Sequence, residues 1–166
     1  MKAKRTSAVV LAMAGSALVG LLVGGFGCSS SDVTQPPAGG GGTSGVVVSA
    51  ANPANGDGTL TAAATFTQNA GSSGYDEANI SQSLGSVGHD LTVTWDTTTH
   101  AINGVNEGWF DGTTGGNTLC LAGTNPCDPT KVTIDFANHK VTFTGIVLPD
   151  AFGGTSTSTL NGTMVW

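Results

Sequence analysis

The chain has 166 residues, of which 39% are hydrophobic and 10% charged, and its net charge of −6 comes from five basic and eleven acidic residues. Lys2, Lys4 and Arg5 stand at the start, so the rest of the sequence keeps two basic residues against eleven acidic ones, a net charge of −9. Because nucleic-acid binding depends on many Lys and Arg contacts to phosphate, this composition excludes a nucleic-acid partner.

The chain begins with the pattern of an export signal. The basic start is followed by an apolar run over residues 8–24, which Gly25-Phe26-Gly27-Cys28 closes. This order is typical of secretory signal peptides. Two alternatives stay open. A signal cut near Gly25 or Gly27 would leave a soluble secreted protein, and an uncleaved segment would act as an anchor, since its length is at the short end of the roughly 17–25 residues that span a bilayer.

The segment ending at Cys28 resembles the lipobox of bacterial lipoproteins, in which a small residue, here Gly27, precedes the modified cysteine. The resemblance implies that residues 1–27 are removed as a signal peptide. It also implies that Cys28 carries a diacylglycerol on its sulfur and an acyl chain on its new amino group, which together give a stable membrane anchor. Ser29 after the cysteine implies an outer-membrane address. The resemblance is confined to this segment and implies no activity.

Residues 28–45 are predicted to be a disordered linker behind the lipidated cysteine. They include three consecutive serines, two consecutive prolines and four consecutive glycines. Such a segment has too little apolar surface to offset the entropy cost of ordering. We expect this linker to hold the body of the protein away from the membrane. The remaining residues, 46–166, have the usual size of one domain.

Residues 46–166 are predicted to form an all-β domain. Apolar residues alternate with polar, threonine-rich ones, most clearly where Leu91, Val93 and Trp95 share one face. The same alternation occurs in residues 60–66, 132–136, 141–145 and 160–166. Period two is the pattern of half-buried strands. About seven or eight such strands predict a single antiparallel β-sandwich or a small β-barrel.

Two local elements can be specified further. Residues 131–147 are predicted to form a hairpin with a two-residue link, Ala137-Asn138, because Asn tolerates the positive φ that such links need. A turn is predicted at 96–100.

Residues 75–85 are the one segment for which a short helix is an alternative, because Tyr75, Ile80 and Leu84 fall partly in helical phase.

Cys120 and Cys127 are predicted to form a disulfide. They enclose six residues that include Asn125-Pro126, a turn-forming pair. In an exported protein, a disulfide is the expected state of such a pair, ahead of a metal site or a nucleophile. Closing so short a loop contributes about 2–2.5 kcal/mol in the chain-entropy model. The bond is therefore expected to hold a surface loop, with little effect on the fold as a whole.

The sequence offers no residue that we would name as catalytic. His89, His100 and His139 lie at no spacing typical of zinc ligands, and no serine lies in a nucleophile elbow. We therefore expect no metal, no cofactor and no enzymatic activity.

Two acidic pairs, Asp76-Glu77 and Glu107…Asp111, are candidate paired carboxylates. With eleven acids on a small surface, solvated loop charges are the preferred interpretation. Residues 55–58, Asn-Gly-Asp-Gly, resemble the start of a calcium loop but lack its later acidic ligands.

Trp109-Phe110 is the most suggestive local feature. Consecutive residues on a strand point to opposite faces, so one of the two rings must leave the core. The outward ring could stack on a sugar or bind a partner, since exposed aromatic residues are frequent binding anchors. The alternative, which we prefer, is that this ring packs beneath the loop at 112–128.

Three functions are compatible with these patterns. The favoured one is a lipid-anchored, non-enzymatic β-domain of the cell envelope that acts as a binding or surface-structural module. Its expected location in the envelope is the outer membrane. The second is a calycin-like carrier of a small apolar ligand. The third is a small outer-membrane β-barrel, since the end of the chain alternates as barrel strands do. The sequence identifies no protein or small-molecule partner.

Overall fold

The computed structural model describes residues 42–50, 56–70 and 73–166. The predicted signal peptide, the lipidation site Cys28 and nearly all of the predicted linker lie outside the described residues. Within the described part, no helix could cross a membrane. The described residues form ten strands: β1 (Gly45–Ala50), β2 (Gly58–Leu60), β3 (Thr65–Thr67), β4 (Tyr75–Leu84), β5 (Val87–Asp96), β6 (Ile102–Phe110), β7 (Gly115–Leu121), β8 (Val132–Asp135), β9 (Lys140–Pro149) and β10 (Thr157–Val165).

The strands form two five-stranded antiparallel sheets, with orders β2-β1-β10-β9-β8 and β3-β4-β5-β6-β7. The predicted antiparallel β-sandwich is confirmed, with ten strands in place of the expected seven or eight. The extra strands arise partly because the run predicted over residues 60–66 is divided between the sheets. Leu60 of β2 pairs with Val46 of β1, whereas Phe66 of β3 pairs with Ala78 of β4.

The core lies between the inner faces of the two sheets, and the alternation seen in the sequence decides which residues enter it. Leu91, Val93 and Trp95 are all buried, as are Val141 and Phe143 of the facing sheet. Their partners in one contiguous cluster come from both sheets: Val46, Val48, Leu60, Ala78, Ile80, Val105, Cys120, Val132, Ile146, Leu148, Leu160, Met164 and Trp166.

A bulge in β9 changes this alternation once. Gly145 has a positive φ of 61°, and the register between β9 and β10 shifts between Leu160 and Asn161. Because the bulge inserts one residue, Ile146 and Leu148 face the core although they are out of phase with Phe143.

Residues 75–84 are a strand, so the helical alternative for this segment is wrong. β4 pairs with all ten residues of β5 across the tight connection at Gly85-Ser86. Its buried residues, Ala78 and Ile80, are two apart, as a strand requires.

The hairpin predicted over residues 131–147 is confirmed as β8 and β9, although its turn differs from the prediction. The residue with positive φ is His139, at 49°, and Asn138 is not among those with positive φ. Asn138 instead donates to the Asp135 carboxylate from its backbone N–H (3.1 Å) and from Nδ2 (2.7 Å).

The disulfide Cys120–Cys127 is confirmed. It joins the end of β7 to the following loop, and in that loop the backbone N–H of Leu121 donates to the carbonyl of Asn125 at 2.7 Å. The sulfur bond therefore holds a surface loop against an edge strand.

Five turns begin with an aspartate that accepts hydrogen bonds from groups two to four residues further on, which lowers the pKa of each carboxyl below its ordinary 3.8. The largest cause is the Thr99 backbone N–H for Asp96, the Thr114 backbone N–H for Asp111, the Thr130 hydroxyl for Asp128, the Asn138 side chain for Asp135 and the Phe152 backbone N–H for Asp150. These five acids are turn-forming residues. Of the four acids for which loop charges were expected, only Asp111 is among them, since Asp76 and Glu77 lie in β4 and Glu107 is buried in β6.

Candidate functional site

The outer face of the β3–β7 sheet has a hollow centred on Gly108 of β6. Across the strands, Gly108 pairs with Asp90 of β5 on one side and with Asn117 of β7 on the other. Along its own strand, Asn106 and Phe110 lie two residues away. Directly paired residues and residues two apart share one face of a sheet. Four side chains therefore surround a position that has none.

This hollow is the floor of an open groove of about 570 Å³, which Ser81, Ser86 and Gly88 extend along β4 and β5. Pockets that hold small ligands have volumes of roughly 300–1,000 Å³. The groove exists because Gly88 and Gly108 leave the centre of the sheet without side chains. A β-carbon at Gly108 would have no neighbour closer than 3.8 Å, so the site can hold a methyl group at ordinary van der Waals distances.

Two amide oxygens in the groove lack hydrogen-bond partners. Oδ1 of Asn106 and Oδ1 of Asn117 are both buried, and neither has a partner among the described residues. A buried acceptor left unpaired costs about 1–3 kcal/mol. Because neither oxygen has accessible surface, a ligand in the groove can pair with it only when the amide turns toward the groove, and that pairing would relieve the cost.

The carboxylate of Asp90 is held in a fixed position. Its Oδ1 accepts hydrogen bonds from Nδ2 of Asn79 at 2.7 Å and from the Thr92 hydroxyl at 3.2 Å. Both donors lie on the same outer face, so the carboxylate is oriented by its own sheet. It adds a charged acceptor to the two amide oxygens.

The rings of Trp109 and Phe110 point to opposite faces, as their positions in the sequence predict. Each ring packs beside a glycine of β7: a β-carbon at Gly116 would lie 2.6 Å from Nε1 of Trp109, and one at Gly115 would lie 3.1 Å from a ring carbon of Phe110. Trp109 is half-buried on the inner side. Both residues line the groove, but Phe110 is 55% exposed, so it is the outward ring.

A buried polar cluster lies on the inner face behind the groove. Nδ1 of His89 is 2.7 Å from Oε1 of Glu107, and the side chains of both residues are fully buried. The other carboxylate oxygen, Oε2, accepts hydrogen bonds from the hydroxyls of Ser158 in β10 at 2.7 Å and Thr118 in β7 at 3.5 Å. Glu107 thereby ties the two sheets together.

This cluster differs from a Ser–His–acid triad in the order of its groups. In a triad, the imidazole bonds the serine and thereby activates it. Here Ser158 donates to the carboxylate, and Nε2 of His89 is buried without a partner among the described residues. A β-carbon at Gly56 would lie 3.2 Å from that nitrogen, so backbone closes the space beside it. The arrangement is suited to joining the sheets.

The other candidates from the sequence lie apart from the groove. His100 and His139 are in turns, each with positive φ, and pack against Phe136 and Trp166 with ring centroids 4.3 and 5.9 Å apart. Asp76 accepts a hydrogen bond from the backbone N–H of Asn69.

Glu107 and Asp111 do not form a carboxylate pair, since Glu107 is buried with His89 and Asp111 begins the β6–β7 turn. Across the described ranges, no three His, Cys, Asp or Glu side chains are grouped to hold a metal ion.

The groove is formed by Asp90, Asn106, Gly108 and Asn117, none of which was predicted from the sequence as a site residue. His89 and Glu107 carried a signal that could have been used. His89 is in phase with the buried residues Val87 and Leu91, so period two places it in the core despite its polarity.

The chain matches no protein-family model, and comparisons with curated proteins and with solved structures give no match.

Proposed function

We propose that this protein is an exported, lipid-anchored and non-enzymatic binding module of the cell envelope, placed at the outer membrane. The N-terminal pattern that ends at Cys28 supports the anchor and the address. The groove around Gly108 supports binding. The observation that carries the proposal is the pair of buried amide oxygens, Asn106 Oδ1 and Asn117 Oδ1, which have no partner within the described structure.

The groove is a better candidate for binding than the space between the sheets. The inner faces of the described strands pack together in one cluster that includes Trp95, Met164 and Trp166. A carrier of an apolar ligand needs a cavity at that place. On the outer face, in contrast, glycines leave an open volume beside polar groups that need partners.

Fractionation of a Gram-negative host that expresses the full chain tests the anchor. The chain should appear in the outer-membrane fraction with a lipid-modified Cys28 as its first residue, and Cys28→Ala should move it to a soluble fraction or leave it unprocessed. A mature chain that begins at another, unmodified residue would refute the anchor. A chain that stays in the membrane after proteolysis of the glycine-rich segment would support the membrane-barrel alternative.

An NMR titration of the mature chain with a soluble extract of envelope polysaccharides and small molecules tests the binding role. The side-chain amide signals of Asn106 and Asn117 and the backbone signal of Gly108 should shift, because these groups line the groove. Signals of β1, on the other sheet, should stay in place. If no groove signal moves, the binding role is wrong.

A further inference from the structure

We infer that the groove around Gly108 binds a neutral saccharide. This inference rests on the proposed binding role of the groove and adds the chemical class of the ligand. The hydrogen-bonding groups of the groove, its exposed aromatic ring and its charge all favour a neutral saccharide.

The hydrogen-bonding groups of the groove fit hydroxyls. The Oδ1 atoms of Asn106 and Asn117 are buried acceptors that lack donors, so a ligand that turns these amides toward the groove gains an acceptor and an NH₂ donor from each. A hydroxyl both donates and accepts, so two neighbouring sugar hydroxyls can pair with the two halves of one amide, one donating to Oδ1 and the other accepting from Nδ2. The carboxylate of Asp90, oriented by Asn79 and Thr92, is a third acceptor on the opposite side of the hollow.

The aromatic ring of Phe110 fits the apolar side of a sugar. The ring is 55% exposed although Phe110 belongs to a strand of the sheet. The neighbouring Gly115 has no side chain that could cover it. The face of an aromatic ring is electron-rich and attracts the weakly positive hydrogens of a sugar's C–H groups. A ligand with hydroxyls at its rim and C–H groups on its face therefore meets both the amides and the ring.

The charge of the groove favours a neutral ligand. Among the described residues that line it, Asp90 alone has a carboxylate, none is Lys or Arg, and the imidazole of His89 is paired with Glu107. An acidic sugar would be repelled by Asp90 and by the acidic body as a whole. A bound metal ion requires several oxygen ligands of high charge, and the described residues group no three acidic or histidine side chains for that purpose.

The dimensions of the hollow fit a short stretch of sugar chain. Asp90 and Asn117 are separated by two strand spacings, about 10 Å, and Asn106 and Phe110 by four residues, about 13 Å. The groove is open, so it can hold one or two rings while the remainder of a polymer continues past it. An open site with few contacts implies dissociation constants in the range of about 10 μM to 1 mM.

The test is an NMR titration of the full mature chain, held in a zwitterionic detergent that has no sugar headgroup. The probes are neutral tetrasaccharides built from glucose (α- and β-linked), N-acetylglucosamine, xylose and mannose, with an oligogalacturonate as the acidic comparison. At about 10 mM, at least one neutral probe should shift the side-chain amides of Asn106 and Asn117, as expected for millimolar or tighter binding. Binding of a neutral probe should not change with salt concentration, since no ion pair is formed.

Three variants locate the site. Gly108→Val fills the hollow and should weaken binding about tenfold or more, which corresponds to 1.4 kcal/mol. Gly45→Val is the matched control, because a β-carbon at Gly45 meets nothing within 4 Å and lies on the other sheet. Phe110→Ala removes an exposed ring and should weaken binding similarly, which keeps the test valid if Gly108→Val does not fold.

The outcomes separate this inference from the proposed function. If the envelope extract shifts the groove signals but none of the five neutral probes does, the binding role stands and the saccharide is wrong. If neither does, both are wrong. An oligogalacturonate that binds better than every neutral probe, or a neutral probe whose binding Gly108→Val and Phe110→Ala leave unchanged, would also overturn the inference.

Discussion

The indole of Trp109 lies directly over Gly116, where a β-carbon would fall 2.6 Å from Nε1. On the opposite face of the same two strands, Phe110 packs beside Gly115. Two consecutive glycines thus accommodate two consecutive rings, one half-buried and one exposed. The position of the exposed ring beside the groove depends on this arrangement, because a displaced Trp109 would shift the end of β6.

Gly116→Ala should therefore destabilise the domain. The added methyl must push the indole aside, and such overpacking costs about 1–3 kcal/mol. Urea unfolding followed by tryptophan fluorescence measures the effect. Gly108→Ala is the control, because its methyl would have no neighbour nearer than 3.8 Å and should change the free energy of unfolding by less than about 0.5 kcal/mol. Equal effects of the two substitutions would contradict the packing described here.

The buried pair of His89 and Glu107 should show strong coupling. His89→Leu alone leaves Oε1 of Glu107 buried without its hydrogen-bond partner, and a buried polar atom left unpaired costs roughly 1–3 kcal/mol. Replacement of both residues by apolar ones, as in His89→Leu with Glu107→Met, should cost clearly less than the two single substitutions added together. A double-mutant cycle by chemical denaturation gives the coupling energy, and additive effects would show that the contact does not stabilise the fold.

Stability should fall in acid as the turn-forming aspartates are protonated. Hydrogen bonds lower the pKa of Asp96 and Asp111 in the folded chain, to which the backbone N–H groups of Thr99 and Thr114 contribute most. A lowered folded-state pKa stabilises the fold above the ordinary value of 3.8, and that stabilisation is lost as the pH falls through the folded-state pKa.

The double variant Asp96→Asn/Asp111→Asn isolates this effect. Asn can still form the turn but does not titrate, so unfolding midpoints in urea should change less between pH 5 and pH 2 than in the wild type. Asp32→Asn, in the predicted linker, is the matched charge control and should leave the pH dependence unchanged. A double variant that is as acid-sensitive as the wild type would contradict the assignment.

Loss of the disulfide should weaken the domain without unfolding it. Replacement of Cys120 and Cys127 by alanine reopens a loop with a sequence separation of seven residues. The chain-entropy model gives a cost of about 2–2.5 kcal/mol for a loop of this length. Circular dichroism should retain the β-sheet spectrum while the melting temperature falls. A variant that does not fold at all would mean that the bond does more than hold a surface loop.

The fold could be predicted from the sequence wherever side-chain alternation is uninterrupted. Leu91, Val93 and Trp95 show it clearly, and period two alone places them in the core. In β4, acidic and amide residues surround Ala78 and Ile80, so the alternation is weak, and the strand is recognised only through its pairing with β5.

The groove could not be predicted in the same way. It joins Asp90, Gly108 and Asn117 from three strands, and whether they meet depends on the register between strands. A shift of one residue in β7 would place Asn117 on the inner face. That register is fixed by the turn at Asp111 and by the glycines beside the two rings, which period two does not reveal.

The most direct test of the binding groove is a crystal structure of the mature protein with the tightest-binding neutral oligosaccharide from the titration. We predict a sugar ring above Gly108 with one face against Phe110, and the amides of Asn106 and Asn117 turned toward it so that hydroxyls lie about 2.7–3.2 Å from both Oδ1 atoms. A saccharide bound elsewhere, with water alone on the two amide oxygens, would contradict the account.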